Sequence, residues 1–376
     1  MQMVDLKGQY RKIKAGIDAG IQQVIDDTAF INGPQVKKFQ QDLAVYLDVS
    51  HVITCANGTD ALQIAFMALD LRPGDEVIVP CFTYVAAVEV IALLGLKPVL
   101  IDVDPHSFNV TPALIEEKIT PKTKAIVPVH LFGQCADMTA IMDIATRHGL
   151  YVVEDTAQAI GAVVNGPDGQ QQKAGTIGHI GCTSFFPSKN LGCYGDGGAL
   201  YTRDPQLADR IRKIANHGQS RKYYHELVGI NSRLDTLQAA ILSVKLPELD
   251  GYIANRQRAA AHYDRELADL NGVEMPAREA FSTHVFHQYT VKVENAEVRE
   301  KLRIFLGEKG IPVMIYYPVP IHWQEAFAYL NYAKEEFPVT IGLCDRVLSL
   351  PMHTELDQEQ LFYITQSIKS FFDGKV

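Results

Sequence analysis

Between residues 51 and 205, short apolar runs alternate with amphipathic segments. His51–Cys55 reads as a strand and Thr59–Leu69 as a helix, with Leu62, Ala65, Phe66 and Leu69 sharing one face. Glu76–Val79 predicts a second strand, followed by a helical Thr83–Leu94. Pro98–Val103 predicts a third strand, and Thr111–Ile119 a helix with a Thr-Pro start signal. Lys124–Val129 reads as a strand, Asp137–His148 as a helix and Tyr151–Glu154 as a strand. Cys182–Phe186 and Gly198–Thr202 add two more strands, and Asp204 caps a helix reaching Asn216. The strands are β-branched and apolar on both faces. Alternating with helices, they predict a mostly parallel sheet covered on both sides.

Beyond Leu234 the pattern changes. Leu234–Leu246 is amphipathic, Pro247 interrupts it, and a basic helical stretch carries Arg256, Arg258 and Arg265. Then come a strand (Gln288–Val293), a helix (Ala296–Lys309), a strand (Pro312–Tyr316) and a C-terminal helix (Asp357–Phe372). The expected organisation is a large α/β domain over 1–255, with an N-terminal helical segment, and a small α+β domain over 256–376. No repeat or low-complexity tract interrupts it.

Composition narrows the function. With 47% hydrophobic and 21% charged residues, the 376-residue chain can build a substantial core. A net charge of −9 argues against a sequence-independent nucleic-acid binder, which needs a basic surface. The six cysteines show no C-x-x-C pair and no zinc-finger spacing, so no metal site is expected and a reducing compartment is. The N-terminal MQMVDLKGQYRKIK has no apolar signal core. The longest apolar stretch, near Val90–Leu96, falls far short of the ~20 residues that cross a bilayer. A cytoplasmic protein without a membrane partner is expected.

In open parallel sheets, ligands bind beyond the carboxyl ends of the strands. After the first strand, Ala56-Asn57-Gly58-Thr59-Asp60 combines a glycine, a hydroxyl and a helix start, which suits an anion such as phosphate. An ordinary capped turn would read the same way. No G-x-x-x-x-G-K-[ST] loop exists, which weighs against an NTPase. Tyr84 follows the second strand, where an aromatic can stack on a planar ligand or simply fill the core. Asp155 closes the fifth strand, where a carboxylate needs a partner: an ion pair, a metal or a cationic ligand. Glu154 points to the opposite face, which makes a metal the weaker choice. Lys189, just past the 182–186 strand, is either a functional amine or a solvated loop residue. Together, a phosphate cup, an aromatic platform, a strand-end acid and an amine able to form an imine match what pyridoxal 5′-phosphate requires.

NGTDAL (57–62), PCFTYVAA (80–87), VVEDTAQAIGA (152–162), SFFPSKNLGCYGDGGAL (184–200) and NSRLDTLQAAIL (231–242) resemble the DegT/DnrJ/EryC1/StrS sugar aminotransferases over nearly the whole chain. The resemblance implies a fold-type-I pyridoxal-phosphate transferase of aspartate-aminotransferase architecture, working as a homodimer with shared active sites. It implies Lys189 as the lysine that binds the cofactor and Asp155 as partner of its ring nitrogen. Gln158 would bond the phenolic oxygen, and Tyr84 would stack on the ring. Gly58, Thr59 and Ser184 would hold the phosphate, and Asn231 would reach the neighbouring subunit's phosphate. A dehydratase branch of the family has histidine in place of the lysine, so Lys189 favours amino transfer. Tyr316–Gln324 is similar to a stretch in members that act on 3-keto nucleotide sugars, which puts Tyr317 and His322 on the substrate side. Arg233 would meet a donor carboxylate or a diphosphate, or form a structural ion pair. The expected reaction moves an amino group from L-glutamate to C3 of a dTDP- or UDP-linked keto sugar, in amino-sugar and polysaccharide biosynthesis. Amination at C4, another pyridoxal-phosphate reaction and a silent regulatory homologue are the alternatives.

Overall fold

The computed structural model describes residues 1–167 and 169–374. Its centre is a seven-stranded sheet in the order β1-β9-β8-β5-β4-β2-β3. The strands are β1 (His51–Cys55), β2 (Glu76–Pro80), β3 (Lys97–Ile101), β4 (Thr123–Ile126), β5 (Tyr151–Asp155), β8 (Ile180–Ser184) and β9 (Gly198–Thr202). β9 runs against both its neighbours, and the other six point one way. The mostly parallel sheet expected from two-sided apolar strands is present, with every residue of β2 and β9 buried. A short hairpin, β6 (Val163–Asn165) and β7 (Gln171–Lys173), sits between β5 and β8.

The helices of this half are α1 (Leu6–Asp26), α2 (Pro34–Leu47), α3 (Gly58–Ala68), α4 (Ala86–Leu93), α5 (Pro112–Glu117), α6 (Met138–His148) and α7 (Pro205–Ala215). Their starts follow capping chemistry: Asn57, Thr111, Asp137 and Asp204 each accept a first-turn N–H. A small hairpin of β10 (Gln219–Arg221) and β11 (Tyr224–His225) leads towards α8 (Thr236–Lys245). At Pro247 the chain makes a 3₁₀ turn before α9 (Leu249–Leu267), as the sequence suggested.

A second sheet joins β12 (Val273–Glu274), β13 (Tyr289–Val293) and β14 (Val347–Leu350), packed with α10 (Ala296–Glu308) and α12 (Gln358–Phe372); α11 (Pro338–Arg346) precedes β14. Tyr263, Tyr289, Leu302, Leu348 and Ile364 form its core, separate from the larger core around the main sheet. The expected strand at Pro312–Tyr316 is not there. Only Met314 bridges to Ser349, and β14 takes the place beside β13. Pro312 lacks an N–H, and Pro318 and Pro320 follow closely, so this stretch cannot sustain a ladder. It runs instead as an irregular strap over the larger core, to which Ile321, Phe327 and Phe337 belong.

Candidate active site

β1, β2, β5 and β8 end on one edge of the sheet, and the candidate residues gather there. At the β1 end, Asn57 Oδ1 accepts the Asp60 N–H at 2.8 Å, while the Gly58 and Thr59 N–H groups take no acceptor among the described residues. A Cβ at Gly58 would stand 2.7 Å from that of Ser184, so the start of α3 is pressed against the end of β8. The only side chain this contact tolerates is hydrogen. Ser184 Oγ accepts the Phe186 N–H at 3.2 Å. Ser232 locks the same corner from outside: its hydroxyl donates to Asp60 Oδ2 at 2.6 Å and accepts from Ala56 N–H at 2.9 Å. Ser232 lies between the flagged Asn231 and Arg233, yet its own role was not visible in sequence.

At the β5 end, Asp155 Oδ1 accepts the Ala157 N–H at 3.0 Å. Glu154 faces the other way and is fully buried. It accepts from Gly175 (2.8 Å), Ile177 (2.9 Å) and Gly178 (2.5 Å) N–H groups and from His130 Nε2 at 2.9 Å. Strand alternation assigns the two adjacent carboxylates to opposite faces, as expected.

Lys189 lies in the turn after β8, close enough to Asp155 for the two charges to influence each other. Burial dominates both. It pushes the Lys189 amine down to about 8, against the pull of Asp155. It also raises Asp155, against the Ala157 N–H and Lys189. The loop after Lys189 is clamped from α8: Lys245 Nζ, itself buried, donates to Gly192 O at 2.6 Å, and Gln238 bonds both the N–H and the carbonyl of Tyr194. Asn190 Nδ2 donates to Val285 O at 3.1 Å and ties the lysine turn to the chain before β13.

Gln158 is oriented by its neighbours. Its Oε1 accepts the Phe132 N–H at 2.7 Å, which leaves Nε2 to donate to the Tyr317 hydroxyl at 3.2 Å. Tyr317 packs against Phe82 (ring centroids 6.0 Å apart) and Tyr84 (6.3 Å). Tyr84 is itself exposed at the pocket mouth. The structure thus brings together Gly58, Thr59, Tyr84, Asp155, Gln158, Ser184, Lys189 and Tyr317. Asn231 and Arg233 lie on the Ser232 segment: Asn231 is exposed, and Arg233 makes no hydrogen bond or ion pair among the described residues. His322 is buried, with both ring nitrogens taken within the chain: Nδ1 lies 3.3 Å from Cys81 Sγ and Nε2 3.0 Å from Lys334 O. No group of three or more potential metal ligands occurs among the described residues.

A mostly parallel seven-stranded sheet with an acid and a lysine at adjoining strand ends defines a fold-type-I pyridoxal-phosphate transferase. The profile of the DegT/DnrJ/EryC1/StrS aminotransferase family matches residues 11–369. The chain belongs to that family. It is 48% identical to the UDP-2-acetamido-2-deoxy-3-oxo-D-glucuronate aminotransferase of Pseudomonas aeruginosa, over 98% of this chain and 99% of that one. It is 47% identical to a pleiotropic regulatory protein of Geobacillus stearothermophilus, over 98% of each. Its fold matches the crystal structure of S. venezuelae DesV in complex with a ketimine intermediate, with a TM-score of 0.95 and 38% identity over 99% of this chain and 98% of that one.

Proposed function

We propose that this aminotransferase carries pyridoxal phosphate on Lys189 and transfers an amino group from L-glutamate to C3 of a nucleotide-linked keto sugar. The observation that carries the reading is the half-buried Lys189 amine in the turn after β8, lowered by desolvation to about 8 and facing the Asp155 carboxylate at the neighbouring strand end. The residues present fit the coenzyme. Gly58 leaves the start of α3 bare beside Ser184, with two N–H groups that take no acceptor among the described residues, a phosphate-sized donor set. When bound, the coenzyme supplies an aldehyde for the amine and an electron-accepting ring.

Each residue then has a task. Desolvation lowers the Lys189 amine to about 8, so its neutral form is reached more readily than in a free lysine. A neutral Nζ would hold the coenzyme at this position and, when free, could take up and return a proton. Asp155 is raised by burial, and a cationic ring nitrogen beside it would favour its carboxylate form. Phe132 occupies the Gln158 oxygen, so its NH₂ group, which donates to Tyr317, is the part that would have a second N–H to offer the coenzyme's phenolic oxygen. Tyr84 supplies a ring face, and Tyr317 borders the sugar side. Asn231, exposed beside Ser232, is suited to the neighbouring subunit's phosphate in a homodimer, with Arg233 near the diphosphate or the donor carboxylate.

The C3 assignment rests on the Pseudomonas relative, whose substrate is a 3-oxo sugar, and on the 316–324 segment. A UDP carrier is favoured for the same reason. A regulatory reading has the Geobacillus relative in its favour, but the lysine, acid and phosphate cradle all remain. A domain division near 255 is supported by the two separate cores, with the 321–347 strap packed on the larger one. Six free cysteines, all buried, suit a reducing cytoplasm.

The test is direct. Protein loaded with pyridoxal phosphate is expected to show a visible absorbance band that L-glutamate bleaches. Lys189→Ala is expected to lose covalent retention of the coenzyme and at least ~1000-fold in turnover. A band that responds to no amino donor would overturn the reading.

A further inference from the structure

We propose that His322 is a positioning residue that pins the 316–323 strap to the end of β2, and that it does not touch substrate. The inference rests on the reading of the site above and reassigns one residue within it.

The hydrogen bonds fix the imidazole's state. Lys334 O can only accept, so Nε2 carries the proton that meets it at 3.0 Å. Nδ1 is then bare and accepts the Cys81 S–H at 3.3 Å. The ring is 7% exposed and packs edge-on against Phe337, with centroids 4.8 Å apart. No nitrogen is left for a ligand. Trp323 Nε1 donates to the same Lys334 carbonyl at 3.0 Å, so two consecutive side chains clasp one acceptor.

The clasp joins three stretches far apart in sequence: 81–84 after β2, 321–323 in the strap, and 334–337 before α11. What it holds is functional. Five residues before His322, Tyr317 accepts from Gln158 Nε2 and packs on Phe82 and Tyr84. Three residues after Cys81 stands Tyr84 itself. One imidazole therefore fixes the spacing between the aromatic platform and the tyrosine that engages Gln158. The strap has no ladder to do this work: among the described residues the only bridge in 312–323 is Met314–Ser349, just before it.

The test uses the full chain with coenzyme and nucleotide sugar. His322→Ala and Cys81→Ala are each expected to weaken pyridoxal-phosphate affinity about five- to tenfold before any sugar is added. Both should lower kcat while the sugar KM stays within about twofold of wild type. The double variant should be no worse than the weaker single, because both remove the same link. Cys81→Ser keeps an O–H donor and should recover most of the loss. If His322→Ala does not fold, Cys81→Ala and its serine rescue carry the test alone. A His322→Ala enzyme with unchanged coenzyme affinity and a sugar KM raised tenfold or more would overturn the proposal, as would a silent Cys81→Ala. A wild-type protein that shows no visible band with the coenzyme would instead overturn the reading of the site.

Discussion

The two walls of the pocket are built by different means. The sheet-edge wall bears Gly58, Asp155, Ser184 and Lys189, and main-chain ladders and helix caps set it. The strap wall bears Tyr317 and is held by side-chain hydrogen bonds: Gln158 to Tyr317, Cys81 to His322, and His322 and Trp323 to Lys334. A wall set by ladders is rigid at the atoms that do chemistry. A wall hung on side chains can differ between relatives without disturbing the sheet.

Three changes sharpen that contrast, beyond those that test the lysine and the clasp. The largest effect is expected at Glu154, behind the sheet-edge wall. Glu154→Ala strips the partner from one buried and two half-buried N–H groups and from the buried His130, and should cost about 3–5 kcal/mol in urea unfolding. A loss no larger than that of a surface substitution would break the contrast.

An intermediate effect is expected from acid, and it acts on the seam between the two cores. Burial lowers His284 and His287 well below the usual 6.5 and takes His353 down to about 4. His284 and His353 also hold Nδ1 unprotonated by accepting the Phe286 and Glu355 N–H groups. An unfolded chain takes up these protons near pH 6.5, whereas the folded one resists. Stability contributed by the neutral rings is therefore lost as pH falls below about 6.5. A series of urea curves from pH 7 to 4.5 measures the slope, and replacing His353 with Gln should flatten it.

The smallest effect is expected on the strap. Trp323→Phe removes one donor to Lys334 O from a half-exposed ring and should cost about 1 kcal/mol of stability. Its signature is a small loss of coenzyme affinity, in the direction of His322→Ala, with the sugar KM unchanged. A loss of coenzyme affinity as large as that of His322→Ala would place the clasp on Trp323 rather than on the imidazole.

The same contrast explains what the sequence disclosed. Strands apolar on both faces, helix caps and the alternation of Glu154 with Asp155 are local signals, and the sheet edge follows from them. The strand expected at Pro312–Tyr316 failed because β-branched residues beside prolines carry the composition of a strand without its donors. Val347–Leu350 is short and followed by Pro351, and only its packing against β13 makes it a strand. Ser232, Phe132 and Lys245 escaped notice because each acts on a residue distant in the chain. His322 was found as a residue but not for what it does: its partners, Cys81 and Lys334, become visible only once the chain has folded.

The clamp on the Lys189 turn reaches further than the pocket. Lys245 and Gln238 belong to α8, whose first residue, Thr236, donates its N–H to Phe30 O and accepts the Gly33 N–H on its hydroxyl. Along the same helix, α1 lies close through the bare backbone of Gly16 and Gly20, against Val244 and Ala240. The first thirty-odd residues, none of them a candidate for chemistry, therefore grip one end of a lever whose other end holds Gly192, three positions past the amine. Trimming that leader to make a minimal enzyme would slacken the turn that presents the nucleophile, even though every residue facing the substrate stayed in place.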